Sequence, residues 1–192
     1  MQLILASQSP RRRSFMEQLG YSFTCHAADI DESVHGDEPA DDYVLRVAKA
    51  KVQEIAKQYD SATIVLGSDT CVAVDNHILG KPVDYQDYLR HMQLLSGKVH
   101  QVLTAVVLVQ GEREEQVLVT TDVAFKALFE QEIEYYWRTG EPQDKAGSYG
   151  IQGFAGQFVE SINGSYTSVV GLPLVETNQL LQAFGLTPNF ES

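Results

Sequence analysis

The sequence predicts an α/β fold with a twisted mixed sheet flanked by helices. Short apolar runs alternate with amphipathic helical segments, which is typical of βα units, and long β-type runs flank turn residues, which is typical of antiparallel hairpins. The chain has 192 residues, of which 44% are hydrophobic, enough for one domain with a sizeable core. We therefore predict a single domain over residues 1–192.

The N-terminal segments predict a βα unit followed by an acidic loop. Residues 3–6 form an apolar run typical of a buried strand, and Ser9 and Pro10 suit the N-cap and first position of a helix that Gly20 ends. A second strand is predicted over 23–26. Residues 29–42 contain seven acidic residues, so they predict a loop or a lid.

A helix is predicted over residues 43–59, and its two faces separate two lysines. With about 100° of rotation per residue, Lys51 falls beside Val44 and Ile55 on the apolar face, whereas Lys49 lies further round towards solvent. Lys51 is therefore expected to point into the protein.

The rest of the chain continues the mixed pattern. Residues 63–66 predict a strand that ends in Gly67-Ser68-Asp69-Thr70, and a turn at 75–77 lies between strands. Helices are predicted over 85–95, 130–138 and 172–184. Residues 99–109 and 116–125 predict one hairpin, 144–156 a loop, and 158–162 and 166–170 a second hairpin across Asn163-Gly164.

Composition excludes several classes of protein. Lys and Arg total 14 against 26 Asp and Glu, and a net charge of −12 disfavours nucleic-acid binding. The longest apolar run, residues 102–109, is too short to span a membrane, and the N-terminus lacks the charged region of a signal peptide. Cys25 and Cys71 are expected to be reduced and buried. These features favour a cytoplasmic protein that binds a small anion.

Four groups of residues could carry chemistry, and each also has a simpler structural interpretation. Ser7 to Arg12 combine hydroxyls, a helix start and guanidiniums, which suit phosphate, although they also suit a solvated helix start. Asp69 after a buried strand suits a base or metal ligand, or only a turn. The acidic run that ends at Glu32 suits a divalent cation, or only solvent. Lys51, Lys81 and Lys145 suit phosphates, or only the surface.

Taken together, these groups supply what metal-assisted cleavage of a phosphoanhydride requires: hydroxyls, cations and carboxylates. The five histidines show no metal-ligand spacing, and no Ser/His/Asp order stands out.

A series of short motifs across nearly the whole chain resembles the Maf family. In order, the motifs are Ser7-x-Ser9-Pro10-Arg11-Arg12, Asp31-Glu32, Ala48-x-x-Lys51, Gly67-x-Asp69-Thr70, Gly80-Lys81-Pro82, Leu95-Ser96-Gly97, Asp144-Lys145-Ala146-Gly147, Gly150-Ile151-Gln152-Gly153, Asn163-Gly164-Ser165-Tyr166 and Val170-Gly171-Leu172-Pro173. Arg13 extends the usual arginine pair and is expected to face solvent.

The resemblance implies an inosine-triphosphatase-like fold, with two lobes around a cleft, and a triphosphate pyrophosphatase that depends on Mg²⁺ or Mn²⁺. It implies Asp69 as the base that deprotonates water, and Glu32 with Asp69 as metal ligands. The phosphate-binding residues that it implies are Ser7, Arg11, Arg12, Lys51, Lys81 and Lys145. It also implies a homodimer.

The resemblance also points to one branch of the family. Arg11, Thr70 and Gln152 match the branch that prefers dTTP and UTP, where a branch preferring 7-methyl-GTP has Trp, Gln and Glu. The expected role is removal of nucleotides that should not enter DNA or RNA. Three alternatives stay open: a 7-methyl-GTP pyrophosphatase, an inosine triphosphate pyrophosphatase, and a regulator of septum formation that acts by binding a partner.

Overall fold

The computed structural model describes residues 1–189, and its elements confirm the predicted α/β class. The strands are β1 (Leu3–Leu5), β2 (Thr24–Cys25), β3 (Ile64–Val74), β4 (His77–Leu79), β5 (Val99–Gln110), β6 (Arg113–Phe125) and β7 (Val159–Asn163). The helices are α1 (Pro10–Gln18), α2 (Ala40–Ala56), α3 (Tyr85–Leu95), α4 (Glu130–Arg138), α5 (Tyr166–Val170) and α6 (Leu174–Ala183).

The strands form one seven-stranded mixed sheet in the order β2-β1-β3-β5-β6-β7, with β4 paired to β3. β1 runs parallel to β2 and to β3, whereas β3 with β4 and β6 with β7 are antiparallel pairs. The sheet therefore combines parallel and antiparallel strands, which confirms the predicted mixed sheet.

The chain divides into two compact units. The first comprises Met1–Asp69, Thr104–Val119 and the chain from Gly171 onward, and the second comprises Thr70–Leu103 and Thr120–Val170. The apolar core of the second unit is rich in aromatic side chains, among them Tyr88, Phe125 and Tyr136. That one domain covers residues 1–192 stays a prediction, and its last three positions lie outside the described residues.

The start of α1 follows the predicted chemistry. The hydroxyl of Ser9 accepts a hydrogen bond from the amide of Arg12 at 3.4 Å, and Pro10 occupies the first turn. Arg13 is exposed and pairs with Glu17 one turn along at 3.0 Å, which confirms its expected position.

Three expectations from the sequence are wrong. Residues 166–170 form helix α5, not a strand. The hydroxyl of Ser165 accepts a hydrogen bond from the amide of Ser168 at 3.2 Å and so caps the start of this helix. β3 continues to Val74, so Asp69 lies within the strand. Cys71 is buried but Cys25 is exposed, because it lies on a two-residue strand whose side chains face outwards.

No helix within residues 1–189 has both the length and the apolar character needed to cross a bilayer.

His100 provides a test of how the second unit is packed. It is 2% exposed on β5, its Nε2 lies 2.8 Å from the hydroxyl of Tyr149, and burial lowers its pKa to about 4. An unfolded histidine has a pKa of about 6.5, so the unfolded chain binds more protons between these values and stability falls as the pH falls. We expect His100 alone to reduce the free energy of unfolding by about 2 kcal/mol between pH 7 and pH 5.

Urea unfolding of the wild type and of His100→Gln at both pH values measures this contribution, since glutamine does not titrate. The variant should lose about 2 kcal/mol less than the wild type over the same interval. Equal losses would show that His100 is not held neutral by burial.

Candidate active site

The ammonium group of Lys51 binds two carboxylates in the first unit. Its Nζ donates to Oδ1 of Asp69 at 2.7 Å and lies 2.8 Å from Oε1 of Glu32. The side chains of Lys51 and Asp69 are 11% and 10% exposed, whereas that of Glu32 is 42% exposed. A largely buried ion pair is thus joined to a carboxylate that reaches solvent.

Close packing between α2 and β3 brings Lys51 to Asp69. A Cβ on Gly67 would overlap Cγ2 of Val52 and lie 3.1 Å from the carbonyl oxygen of Ala48, so only glycine permits this approach. Lys51 lies between these two helical residues and is buried, as predicted. Lys49 is 43% exposed in its side chain and pairs with Glu114 at 2.6 Å, which confirms the two predicted faces.

β3 extends beyond the predicted strand end and includes Asp69. Asp69 still lies beyond the segment of β3 that pairs with β1, where a ligand is expected to bind. The parallel pairing of β1 with β3 ends at Leu5 and Leu66, so Ser7 and Asp69 both follow the paired segment. Ligands bind at the carboxyl ends of parallel strands in open α/β sheets. The predicted strand ended before Gly67, but Gly67 lies within β3, where it permits the close packing of α2.

Helix α2 also holds the loop that carries Glu32. The hydroxyl of Tyr43 donates to the carbonyl oxygen of Glu32 at 2.9 Å, and Arg46 donates to the carbonyl oxygen of Ser33 at 2.8 Å. The predicted loop is confirmed as far as Pro39, and α2 then begins at Ala40, before the predicted start of the helix at residue 43.

Arg12 crosses to a carbonyl group that the sequence did not single out. Its Nε donates to the carbonyl oxygen of Gly171 at 2.8 Å, and the fully buried Ser68 hydroxyl donates to the same oxygen at 3.2 Å. Gly171 has a φ of 130°, which favours glycine. Burial lowers the pKa of Arg12, and the nearby charge of Asp69 opposes that shift. This places the guanidinium within electrostatic reach of the two carboxylates.

The remaining cation and hydroxyl of this region lie at the start of α1. Ser7 is half-buried, and its Oγ accepts the amide of Ser9 at 3.1 Å, which leaves its hydroxyl hydrogen for another acceptor. Arg11 is half-buried in the first turn, where α1 has no acidic residue. A helix N-terminus disfavours cations but favours an anion, so this arrangement suits a phosphate group.

The second unit contains Lys81, Lys145 and Gln152, and it begins with Thr70, the residue after Asp69 in β3. The amide of Gly147 donates to the carbonyl oxygen of Gly80 at 3.0 Å, so the segments that carry the two lysines are joined. Lys81 and Gln152 are exposed, while Lys145 is half-buried and pairs with Asp144.

Two polar clusters in the second unit were missed by the sequence analysis. Asp87, His91 and Ser148 form a chain of polar contacts, in which His91 lies 3.5 Å from Asp87 and 2.7 Å from the Ser148 hydroxyl. Ser148 is fully buried, and its contact with His91 holds the loop beside Lys145. Glu141 and Tyr136 form the other cluster, described below. The bond from His91 to Ser148 spans 57 positions and that from Phe154 to Glu141 spans 13, so no local pattern in the sequence indicates either cluster.

Among residues 1–189, no three His, Cys, Asp or Glu side chains are grouped as a metal site. Glu32 and Asp69 form a pair whose oxygens converge on one cationic nitrogen. Mg²⁺ in enzymes of phosphate transfer typically uses one or two carboxylates, with water and phosphate oxygens as its other ligands. The pair therefore fits such an ion.

Several known proteins are similar to this chain over nearly its whole length. A protein of Colwellia psychrerythraea named dTTP/UTP pyrophosphatase is 56% identical over 187 residues, which cover 95% of this chain and 88% of the relative. Proteins of the same name from Vibrio parahaemolyticus and Pseudoalteromonas atlantica are 52% and 50% identical, and each match covers 96% of this chain and 97% of the relative.

Solved structures show the fold. A HAM1 protein of Coxiella burnetii has a TM-score of 0.51 and 13% identity, with 95% of this chain and 99% of that one covered. The Ham1 protein of Staphylococcus aureus has a TM-score of 0.51 and 9% identity, with 96% and 100% covered. These similarities confirm the predicted inosine-triphosphatase-like fold. The family model described as Maf-like protein matches residues 2–184, and the chain therefore belongs to the Maf family, as its motifs predicted.

Proposed function

We propose that this chain hydrolyses dTTP and UTP, and modified pyrimidine triphosphates, to the monophosphate and pyrophosphate. The observation that carries the proposal is the ammonium of Lys51 held between Asp69 and Glu32, within electrostatic reach of Arg12. The names of relatives that are 50% to 56% identical support the substrate class.

In the proposed reaction, the Asp69 carboxylate accepts a proton from water as the water oxygen bonds to the α-phosphorus. The bond from that phosphorus to the bridging oxygen of the β-phosphate breaks, and pyrophosphate leaves with the electron pair. Lys51 orients Asp69 by binding its Oδ1. The residues proposed to stabilise negative charge on the phosphates are Ser7, Arg11, Arg12, Lys51, Lys81 and Lys145.

Glu32 and Asp69 are the proposed ligands of a Mg²⁺ or Mn²⁺ ion. Both carboxylates lie beside Lys51, with oxygens 2.8 Å and 2.7 Å from its Nζ, so they are close to each other. When bound, the ion neutralises phosphate charge and polarises the phosphorus–oxygen bonds.

Three residues are proposed to select the base. Gln152 offers a donor and an acceptor that match N3–H and O4 of thymine or uracil. Thr70 is small enough to leave room for a 5-methyl group, and Arg11 can stack on the base or bind its edge.

The same proposal places the enzyme in the cytoplasm as a homodimer that removes unwanted pyrimidine nucleotides. Gel filtration with light scattering tests the dimer.

A panel of triphosphates with Mg²⁺, read by pyrophosphate release, tests the substrate class. We expect dTTP and UTP to exceed ATP, GTP, inosine triphosphate and 7-methyl-GTP by at least about tenfold in kcat/KM, roughly 1.4 kcal/mol, because a pocket that fits one pyrimidine ring excludes the larger purine, and adenine also lacks the N–H and carbonyl edge that matches the amide of Gln152. The best substrate being 7-methyl-GTP or inosine triphosphate would assign the chain to another branch. No hydrolysis of any triphosphate would favour a partner-binding regulator.

A further inference from the structure

Glu141 binds the backbone on both sides of Gln152. It lies in the short 3₁₀ turn Glu141–Asp144 after α4. Its Oε2 accepts the amide of Phe154 at 3.1 Å, and its Oε1 accepts the hydroxyl of Tyr136 at 2.9 Å. That buried hydroxyl in turn accepts the amide of Gly150 at 3.0 Å. One carboxylate, directly and through Tyr136, therefore holds residues 150 and 154.

The segment between these two residues is a tight turn shaped around the carboxylate. The amide of Gly153 donates to the carbonyl oxygen of Gly150 at 3.1 Å, which closes a turn with Gln152 at its third position. A Cβ on Gly153 would overlap the Glu141 carboxylate, and one on Gly150 would lie 3.2 Å from its Oε1. These glycines permit close approach of the backbone to an acidic side chain.

A carboxylate suits this position because both of its oxygens face donors. The phenol of Tyr136 stays protonated as a donor, since burial, and to a lesser degree the carboxylate of Glu141, raises its pKa. An amide in place of the carboxylate would turn an N–H₂ group towards one of the two donors. The hydrogen bonds of the turn are therefore specific to an acid.

We propose that Glu141 is a positioning residue for base selection, which fixes Gln152 in the orientation that reads the pyrimidine edge. The inference rests on the proposed function, because it requires Gln152 to contact the base. Glu141 acts on Gln152 only through the turn, and the proposed reaction gives it no contact with the phosphates.

The test compares Glu141→Gln with the wild type in kcat/KM for dTTP and for ATP. We expect kcat/KM for dTTP to fall about tenfold, mostly through KM, while that for ATP changes less than about twofold, because only the matched hydrogen bonds of the base are lost. Tyr136→Phe removes the acceptor of the Gly150 amide and one donor to Glu141 but keeps the bond from Phe154 to Glu141, so it should shift the preference in the same direction by less. Glu134→Gln is the control, because Glu134 pairs with exposed Arg138 on α4.

A double variant separates positioning from a general structural role. Once Gln152→Ala has removed the amide, adding Glu141→Gln should leave the remaining dTTP preference unchanged. Equal losses with dTTP and ATP, or additive losses of preference in the double variant, would overturn the inference. If Glu141→Gln does not fold, Tyr136→Phe with an unchanged preference would overturn it. A wild type without pyrimidine preference would instead overturn the proposed substrate class and the inference with it.

Discussion

Replacing Asp69 by asparagine is expected to lower kcat for dTTP by about 10²- to 10⁴-fold, the usual contribution of a general base. Asparagine keeps an oxygen that accepts from Lys51, so the fold should survive, but a neutral amide does not take a proton from water. The measurements are kcat from pyrophosphate release and the midpoint of thermal unfolding, which should stay close to that of the wild type.

A second acid that pairs with a lysine of the same helix provides the matched control. Glu114 on β6 accepts from Lys49 at 2.6 Å, just as Asp69 accepts from Lys51 at 2.7 Å. Glu114→Gln should leave kcat within about twofold, since surface ion pairs contribute little. Activity of Asp69→Asn within about threefold of the wild type would mean that Asp69 only anchors Lys51.

Replacing Lys51 by methionine is expected to lower kcat/KM by about 10²-fold or more, because Lys51 orients the proposed base Asp69 and is proposed to bind the phosphates, and one hydrogen bond between charged groups contributes roughly 1.5–3 kcal/mol. Methionine keeps the apolar stem and the helix propensity. The unfolding midpoint should fall as well, because Asp69 is then buried without its ammonium partner. Rates are therefore measured well below that midpoint, with kcat and KM determined separately.

Lys49→Met is the control for this variant, because it removes the same group from the other face of α2. Its side chain is 43% exposed, and the loss of its ion pair with Glu114 should leave kcat/KM within about twofold. Similar losses for the two variants would contradict the assignment of Lys51 to the catalytic face.

Local patterns in the sequence predicted much of the fold and the part of the candidate site that lies on α1 and α2. Helical periodicity predicted that Lys51 is buried and Lys49 is exposed, and both predictions are confirmed. They could be made from the sequence alone because the period of 3.6 residues determines which side of a helix each side chain faces. The N-cap at Ser9 and the exposed position of Arg13 were predicted for the same reason, since each depends on neighbours within one helical turn.

Interactions between distant segments explain what the sequence did not reveal. Gly67 marked the end of the predicted strand, but it lies within β3, where it admits Val52 and Ala48 of α2. The bond from Arg12 to the carbonyl oxygen of Gly171 spans 159 positions, so no local pattern indicates it. Residues 166–170 are rich in β-branched side chains, and the cap at Ser165 outweighs that preference.

Hydrolysis of dTTP in water enriched in ¹⁸O tests the central claim most directly. Mass spectrometry of both products shows which phosphorus the water attacks. Attack at the α-phosphorus, with Asp69 as the base, predicts ¹⁸O in the monophosphate and none in the pyrophosphate. Label in the pyrophosphate, or release of orthophosphate with the diphosphate, would contradict the account.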